Sequence, residues 1–169
     1  MMNDYPRRHF IQKCSLFTVA LCTVPSTFAS SKNNVVMGNQ VDLASGLVPQ
    51  VLITGTVYDK ETLLPQANCL IDVFPRKGFK WFSKNRGTVV TDVNGFYAIT
   101  LDAPPQGPKM KHIDLDLVHE DGRATSTRLY LFSQGVNIDG NHYAANHRLG
   151  EACLPRFLGK DQIEFNTTI

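Results

Sequence analysis

The sequence predicts an all-β domain, an antiparallel β-sandwich with long loops. Three observations carry this. Short runs rich in β-branched and aromatic residues recur from Val51 to Thr168. Turn-forming pairs punctuate them, Asn94-Gly95 and Asp121-Gly122 most clearly. No stretch shows the 3.6-residue apolar period of an amphipathic helix, which leaves stacked sheets as the way to bury a core.

The elements follow in chain order. Met1–Lys13 carries Arg7, Arg8 and Lys13; Cys14–Val24 is apolar; Thr27-Phe28-Ala29 has the small residues of a cleavage site. That layout predicts an export signal over 1–29, with the mature chain periplasmic or secreted and outside the membrane. The apolar run is shorter than the ~20 residues that span a bilayer as a helix. Arg7-Arg8-His9-Phe10-Ile11 resembles a twin-arginine signal, a route that exports folded, often cofactor-loaded proteins; a general export signal is the other reading. Residues 30–48 are polar and read as a flexible lead-in to a domain over 49–169.

Val51–Asp59 is the first predicted strand, closed by the charged turn Asp59-Lys60-Glu61. Asn68–Phe74 alternates and is the second. Pro75–Arg86, with Phe79, Trp81 and Phe82, reads as an excursion between strands. Gly87–Val93 and Phe96–Leu101 flank Asn94-Gly95, which predicts a hairpin because both residues accept positive φ. Ala103–Pro108 holds three prolines and cannot be regular structure. Lys111–His119 alternates, with Ile113, Leu115 and Leu117 on one face and His112, Asp114 and Asp116 on the other. Thr125–Phe132 and Gln162–Thr168 are the last strands, with a helical turn around His142–Leu149.

The chain has 17 Lys+Arg and 15 Asp+Glu. Removing residues 1–29 takes away Arg7, Arg8, Lys13 and Asp4 and leaves 14 of each. No basic stripe remains, so nucleic acid is not an expected partner. Of the four cysteines, Cys69 and Cys153 remain after cleavage. In an oxidising compartment they are expected to form a disulfide, with two separate thiols, Cys69 being a small buried hydrophobe, as the alternative.

His112 and Asp114 are the sharpest chemical candidates. Residues i and i+2 on a strand share a face with Cα atoms about 6.5–7 Å apart, so both side chains can reach one ion. The competing reading is an ordinary solvent-facing strand face. His142 and His147 could complete a facial set of histidines and one carboxylate, or belong to a polar surface loop spanning Asn141–Arg148.

One family connects these pieces. Gly55-Thr56-Val57-Tyr58-Asp59, Thr91-Asp92-Val93-Asn94-Gly95-Phe96-Tyr97, the proline-rich break, Lys111-His112-Ile113-Asp114 and Arg128-Leu129-Tyr130-Leu131-Phe132 occur in order. Together they resemble the core of the intradiol ring-cleavage dioxygenases. The resemblance implies a β-sandwich, a non-haem Fe(III) cofactor and a small aromatic substrate of the catechol type. It makes His112 and Asp114 metal ligands, with Asp114 where the family has its second histidine. The family's two tyrosinate ligands have no counterpart in Lys77–Phe82 or in Ala103–Met110. Tyr97 and Tyr130 read as packed aromatics. The resemblance therefore implies ring-cleaving activity that is weakened or lost. Gly55-x-Val57-x-Asp59 and Thr91-Asp92-x-x-Gly95-x-Tyr97 are equally features of transthyretin-like and carboxypeptidase-regulatory-like domains, so a non-catalytic binding module is the alternative.

Overall fold

In the computed structural model, residues 38–75, 86–103, 110–132 and 135–169 are described. The expected export segment 1–29 lies outside them, as do the aromatic stretch within 76–85 and the prolines of 104–109. Eleven strands form among the described residues: β1 (Gln40–Asp42), β2 (Gln50–Tyr58), β3 (Leu70–Pro75), β4 (Gly87–Val90), β5 (Phe96–Asp102), β6 (Lys111–Val118), β7 (Ala124–Phe132), β8 (Gly135–Ile138), β9 (Arg156–Phe157), β10 (Gln162–Glu164) and β11 (Thr167–Thr168). A seven-residue helix, α1 (Gly140–Asn146), and a 3-10 segment, His147–Cys153, follow β8.

Two sheets face each other. The first runs β1-β5-β2-β10-β9, with β11 also on β2; the second runs β4-β3-β6-β7-β8. The long ladders are antiparallel, β2 on β5 and β3-β6-β7. The first sheet is mixed, because β1 joins β5 and both β10 and β11 join β2 in parallel. The expected all-β sandwich is therefore present, with parallel strands along one sheet. Alternate residues supply the core. Val51, Ile53, Val57, Ile99 and Leu101 from one sheet meet Ile71, Val73, Ile113, Leu115, Leu117 and Leu129 from the other.

Gly55 is fixed by packing. A Cβ there would lie 1.9 Å from the Phe165 carbonyl oxygen. That approach lets Phe165 N–H donate to Thr54 O, and lets the fully buried Tyr97 hydroxyl donate to Phe165 O at 2.6 Å. Burial pushes the Tyr97 phenol up, so it remains a neutral donor.

Three expectations are corrected. The lead-in is not uniformly loose: Val41 and Leu43 are fully buried, and Gln40–Asp42 pairs with β5, so the sheet begins before residue 49. Asn94-Gly95 does turn, with Gly95 at φ +70° and Asp92 Oδ1 accepting from Asn94 N and Phe96 N. It joins no hairpin, however. β4 pairs with β3 and β5 with β2, so the turn carries the chain from one sheet to the other. Local turn chemistry set the reversal, and the longer ladders set the pairing. Finally, Cys69 and Cys153 are both buried and both free. Cys69 belongs to the core, where burial pushes its thiol up to about 12. Cys153 ends the 3-10 segment, where its carbonyl faces His142.

Candidate functional site

β6 places its residues as the alternation predicts. Ile113, Leu115 and Leu117 are fully buried between the sheets. His112, Asp114 and Asp116 point to the outer face of the second sheet, each half-buried. Register then decides their neighbours. Asp114 stands opposite Arg128 on β7 and Phe74 on β3; Asp116 opposite Ser126 and Asp72; His112 opposite Tyr130. Directly opposed side chains on one face are the strongest-coupled pairs in an antiparallel sheet.

The Asp114 carboxylate meets the Arg128 guanidinium, Nε to Oδ1 at 2.5 Å. Arg128 is held charged by that contact first and by Tyr130 second, and both push its ionisation above its usual range. Ser126 Oγ donates to Asp116 Oδ1 at 2.6 Å. Asp72, nearly buried, pairs with Arg86 and accepts from Thr88 Oγ1 at 2.6 Å. The Arg86 guanidinium also lies over the Phe74 ring, 4.4 Å from its centroid. Tyr130 is the tyrosine against His112, with ring centroids 5.5 Å apart and planes tilted by 52°. The outer face is thus a lattice of cross-strand charge and ring pairs.

This arrangement does not fit the ferric site that the resemblance implies. A cation on Asp114 would sit beside a permanent guanidinium charge. At about 4 Å and an effective dielectric of about 20, each unit of metal charge would meet about 4 kcal/mol of repulsion. The one histidine present has a carboxylate already neutralised by Arg128 as its neighbour. Among the described residues, no three His, Cys, Asp or Glu side chains gather as a metal-binding group.

The second histidine cluster is not brought to His112, and it is not a surface loop either. His142 is 2% exposed and Asn146 equally buried. Asp139 caps α1 by accepting from His142 N at 2.8 Å. His142 Nε2 lies 3.0 Å from Cys153 O, and Nδ1 lies 2.5 Å from Thr127 Oγ1. A carbonyl only accepts, so Nε2 carries the proton; Nδ1 is then the acceptor and the Thr127 hydroxyl the donor. Burial lowers the His142 ionisation, which keeps the ring neutral. The ring stacks on Phe165 at 4.8 Å. Asn146 Oδ1 accepts from Thr168 N at 2.5 Å and Thr167 Oγ1 at 3.3 Å, tying α1 to β11. His147 is exposed, with Nδ1 2.9 Å from Ala144 O. These histidines are structural or solvent-facing, not ligands convergent with Asp114.

Where β8 leaves the β7 edge, a cleft of about 540 Å³ opens on the outer face. Among the described residues it is lined by Phe74, Asp114, Asp116, Ser126, Thr127 and Arg128 of the sheet and by Asp139 and Asn141 at the start of α1. Sequence reading missed Arg128, Ser126 and Asp139 as cleft residues. The signal for Arg128 was available: in Thr125–Phe132 it occupies the outward phase of the alternation, with a charge opposite to Asp114.

No protein-family model matches the chain, and no curated protein matches it. Solved structures do. The dioxygenase domain of a dioxygenase–carbohydrate-binding fusion from Streptomyces sp. SirexAA-E aligns at TM-score 0.52 and 16% identity, over 86% of this chain and 96% of that one. Catechol 1,2-dioxygenase from Pseudomonas arvilla C-1 aligns at 0.53 and 14%, over 94% and 66%. Wild-type catechol 1,2-dioxygenase from Acinetobacter radioresistens aligns at 0.50 and 18%, over 85% of this chain, which spans 59% of that enzyme. At these identities the scaffold is what is shared. The resemblance read from the sequence thus holds at the level of the fold, and the chain is built on the β-sandwich of the intradiol dioxygenases.

Proposed function

We propose that this chain is an exported binding domain built on the dioxygenase sandwich, and that it does not cleave aromatic rings. The observation that carries the reading is the Asp114–Arg128 ion pair at 2.5 Å, made by the residue that the sequence resemblance sets where the family has its second histidine. The phenol-free stretches Lys77–Phe82 and Ala103–Met110 support it. The binding surface is the outer face of the second sheet, where a cleft of ordinary ligand size lies among fixed polar groups. The layout of residues 1–29 supports the export part of this reading, with the domain in the periplasm or outside the cell.

Metal analysis of the exported protein, with visible spectroscopy and oxygen uptake on catechol, tests this. The expected protein lacks stoichiometric iron, is colourless and consumes no oxygen with catechol. A coloured, iron-replete protein that takes up oxygen with catechol would overturn the reading. Tyr130, already packed on His112, would then be the first phenol to examine. Replacing Arg7 and Arg8 with lysine should stop export if the twin-arginine route is used.

A further inference from the structure

The two sides of the sandwich are finished differently. On one side β1 and β4 end their sheets, and Val90 N–H donates to Gly38 O across them at 3.2 Å. The core residues there, Val41, Leu43 and Val89, are fully buried. On the other side, among the described residues, the sheets end at β9 and β8. Phe157 of β9 stands opposite the buried Ile163, so it takes the core-facing phase of its strand, yet it is 45% exposed. Leu154 and Leu158 flank it, and both are exposed. Val136 and Ile138 of β8 take the core-facing phase too, opposite Leu131 and Leu129, and are only partly buried.

The backbone gives this apolar edge a direction. Leu158 N–H donates to Gln162 O at 3.0 Å, which makes Leu158 and Gln162 a hydrogen-bonded pair of the β9–β10 ladder. Such pairs alternate with non-bonded ones, so Arg156 also bonds toward β10 and Phe157 does not. The Phe157 N–H and C=O therefore point away from β10, along the outer edge of the sheet. A donor and an acceptor on one extended residue are matched by another extended strand.

The strand that fits is a second β9. An antiparallel copy related by a two-fold axis at Phe157 sets that residue against itself, and each N–H donates to the other's C=O. Arg156 then stands opposite Leu158, and it is already paired with Glu164 on the outer face at 2.5 Å, so no like charges are opposed. The two Phe157 rings meet as a cross-strand aromatic pair. Pro155, in the same outward phase, has no N–H to give and keeps the ladder short. We infer that the mature chain self-associates as a two-fold dimer through the β9 edge, which joins the first sheets of two copies. This goes beyond the binding-domain reading and does not depend on it.

Sedimentation velocity of the mature chain over about 1–300 µM tests it, because so short an edge belongs with the weak interfaces. A monomer–dimer equilibrium with Kd of about 10–100 µM is expected. Phe157→Glu should stay monomeric throughout, with an unchanged far-ultraviolet spectrum because the side chain is half-exposed. Phe157→Cys is the second variant. Directly opposed residues of a hydrogen-bonded antiparallel pair have Cα atoms about 5.5 Å apart, within disulfide reach. With diamide as oxidant this variant should give a reducible covalent dimer, while Cys69 and Cys153 are buried and do not contribute. Val93→Cys, at a position 85% exposed between β4 and β5, is the comparison and should cross-link several-fold more slowly. A parent chain still monomeric at about 300 µM, a Phe157→Glu variant that dimerises as the parent does, or equal cross-linking of the two cysteine variants would overturn the assignment.

Discussion

Two polar regions of this sandwich solve the same problem in opposite ways. On the outer face of β6, His112, Asp114 and Asp116 stay half-buried and are matched across the strand by ring, guanidinium and hydroxyl. Around α1, His142 and Asn146 are taken inside, and their polar atoms are held by specific hydrogen bonds. The outer face can lose a partner and let water replace it. The α1 cluster cannot, because a buried polar group without a partner carries its full desolvation penalty. The outer face is therefore where ligand chemistry can change at modest cost in stability. The α1 cluster is what holds one end of the cleft in place.

The largest expected effect follows from that contrast. His142→Ala removes the acceptor of Thr127 and the donor to Cys153 O, and it empties the space stacked on Phe165. Destabilisation of about 3–5 kcal/mol is expected, read as a shift in urea midpoint at unchanged slope. An effect under about 1 kcal/mol would show that water reaches this site and that the contrast between the regions is false.

The difference also explains what could be read from the sequence. The outer face follows a period of two, and Lys111–His119 shows it plainly, so the placement of His112 and Asp114 was legible. The α1 cluster has no such period. Asn141–Arg148 is polar in sequence and reads as surface, yet its burial depends on Thr127, Cys153 and Phe165, remote in sequence and near only once the sheets have formed. The same holds for β1 and the residue after it, whose buried Val41 and Leu43 follow a polar run, and for Asn94-Gly95, whose turn was legible while the sheets it connects were not. For the candidate site, Asp114 was found but its partner was not. A ligand search weighs His and Asp, whereas the fate of Asp114 is set by an arginine on the next strand.

A smaller effect concerns pH. His142 is neutral in the fold because burial lowers its ionisation, an effect opposed by the Cys153 carbonyl and by Asp139, the charged group near it. Thr127, Asn146 and Phe165, which complete its surroundings, carry no charge. The unfolded chain binds a proton at this histidine below about pH 6.5 while the folded chain does not, so acid favours unfolding. The contribution is fully present above about pH 6.5 and is lost progressively as pH falls below it. Thermal melts should decline from that pH, well above the window in which carboxylates such as Asp121, held down to about 2 by the Arg123 backbone N–H and side chain, begin to contribute. In His142→Gln this component should disappear. A decline of the same size in that variant would assign it to another group.

The smallest expected effect, and the one that bears most on function, is the coupling between Asp114 and Arg128. The two side chains are 22% and 29% exposed, neither a free surface pair nor a buried one. A double-mutant cycle with Asp114→Ala, Arg128→Ala and the double variant should give a coupling of about 1 kcal/mol, reduced in about 1 M NaCl. The cycle is needed because Arg128 also lies 6.0 Å from the Tyr130 ring centroid, and truncation alone would mix the two contacts. Coupling of that size means that a metal ion would have to displace a guanidinium already stabilising the carboxylate, as the binding-domain reading requires. Coupling indistinguishable from zero would remove Arg128 as an obstacle to Asp114 serving as a ligand beside His112. Because the pair lies on the outer face, none of these variants should unfold the sandwich, and the far-ultraviolet spectrum of each should match that of the parent chain.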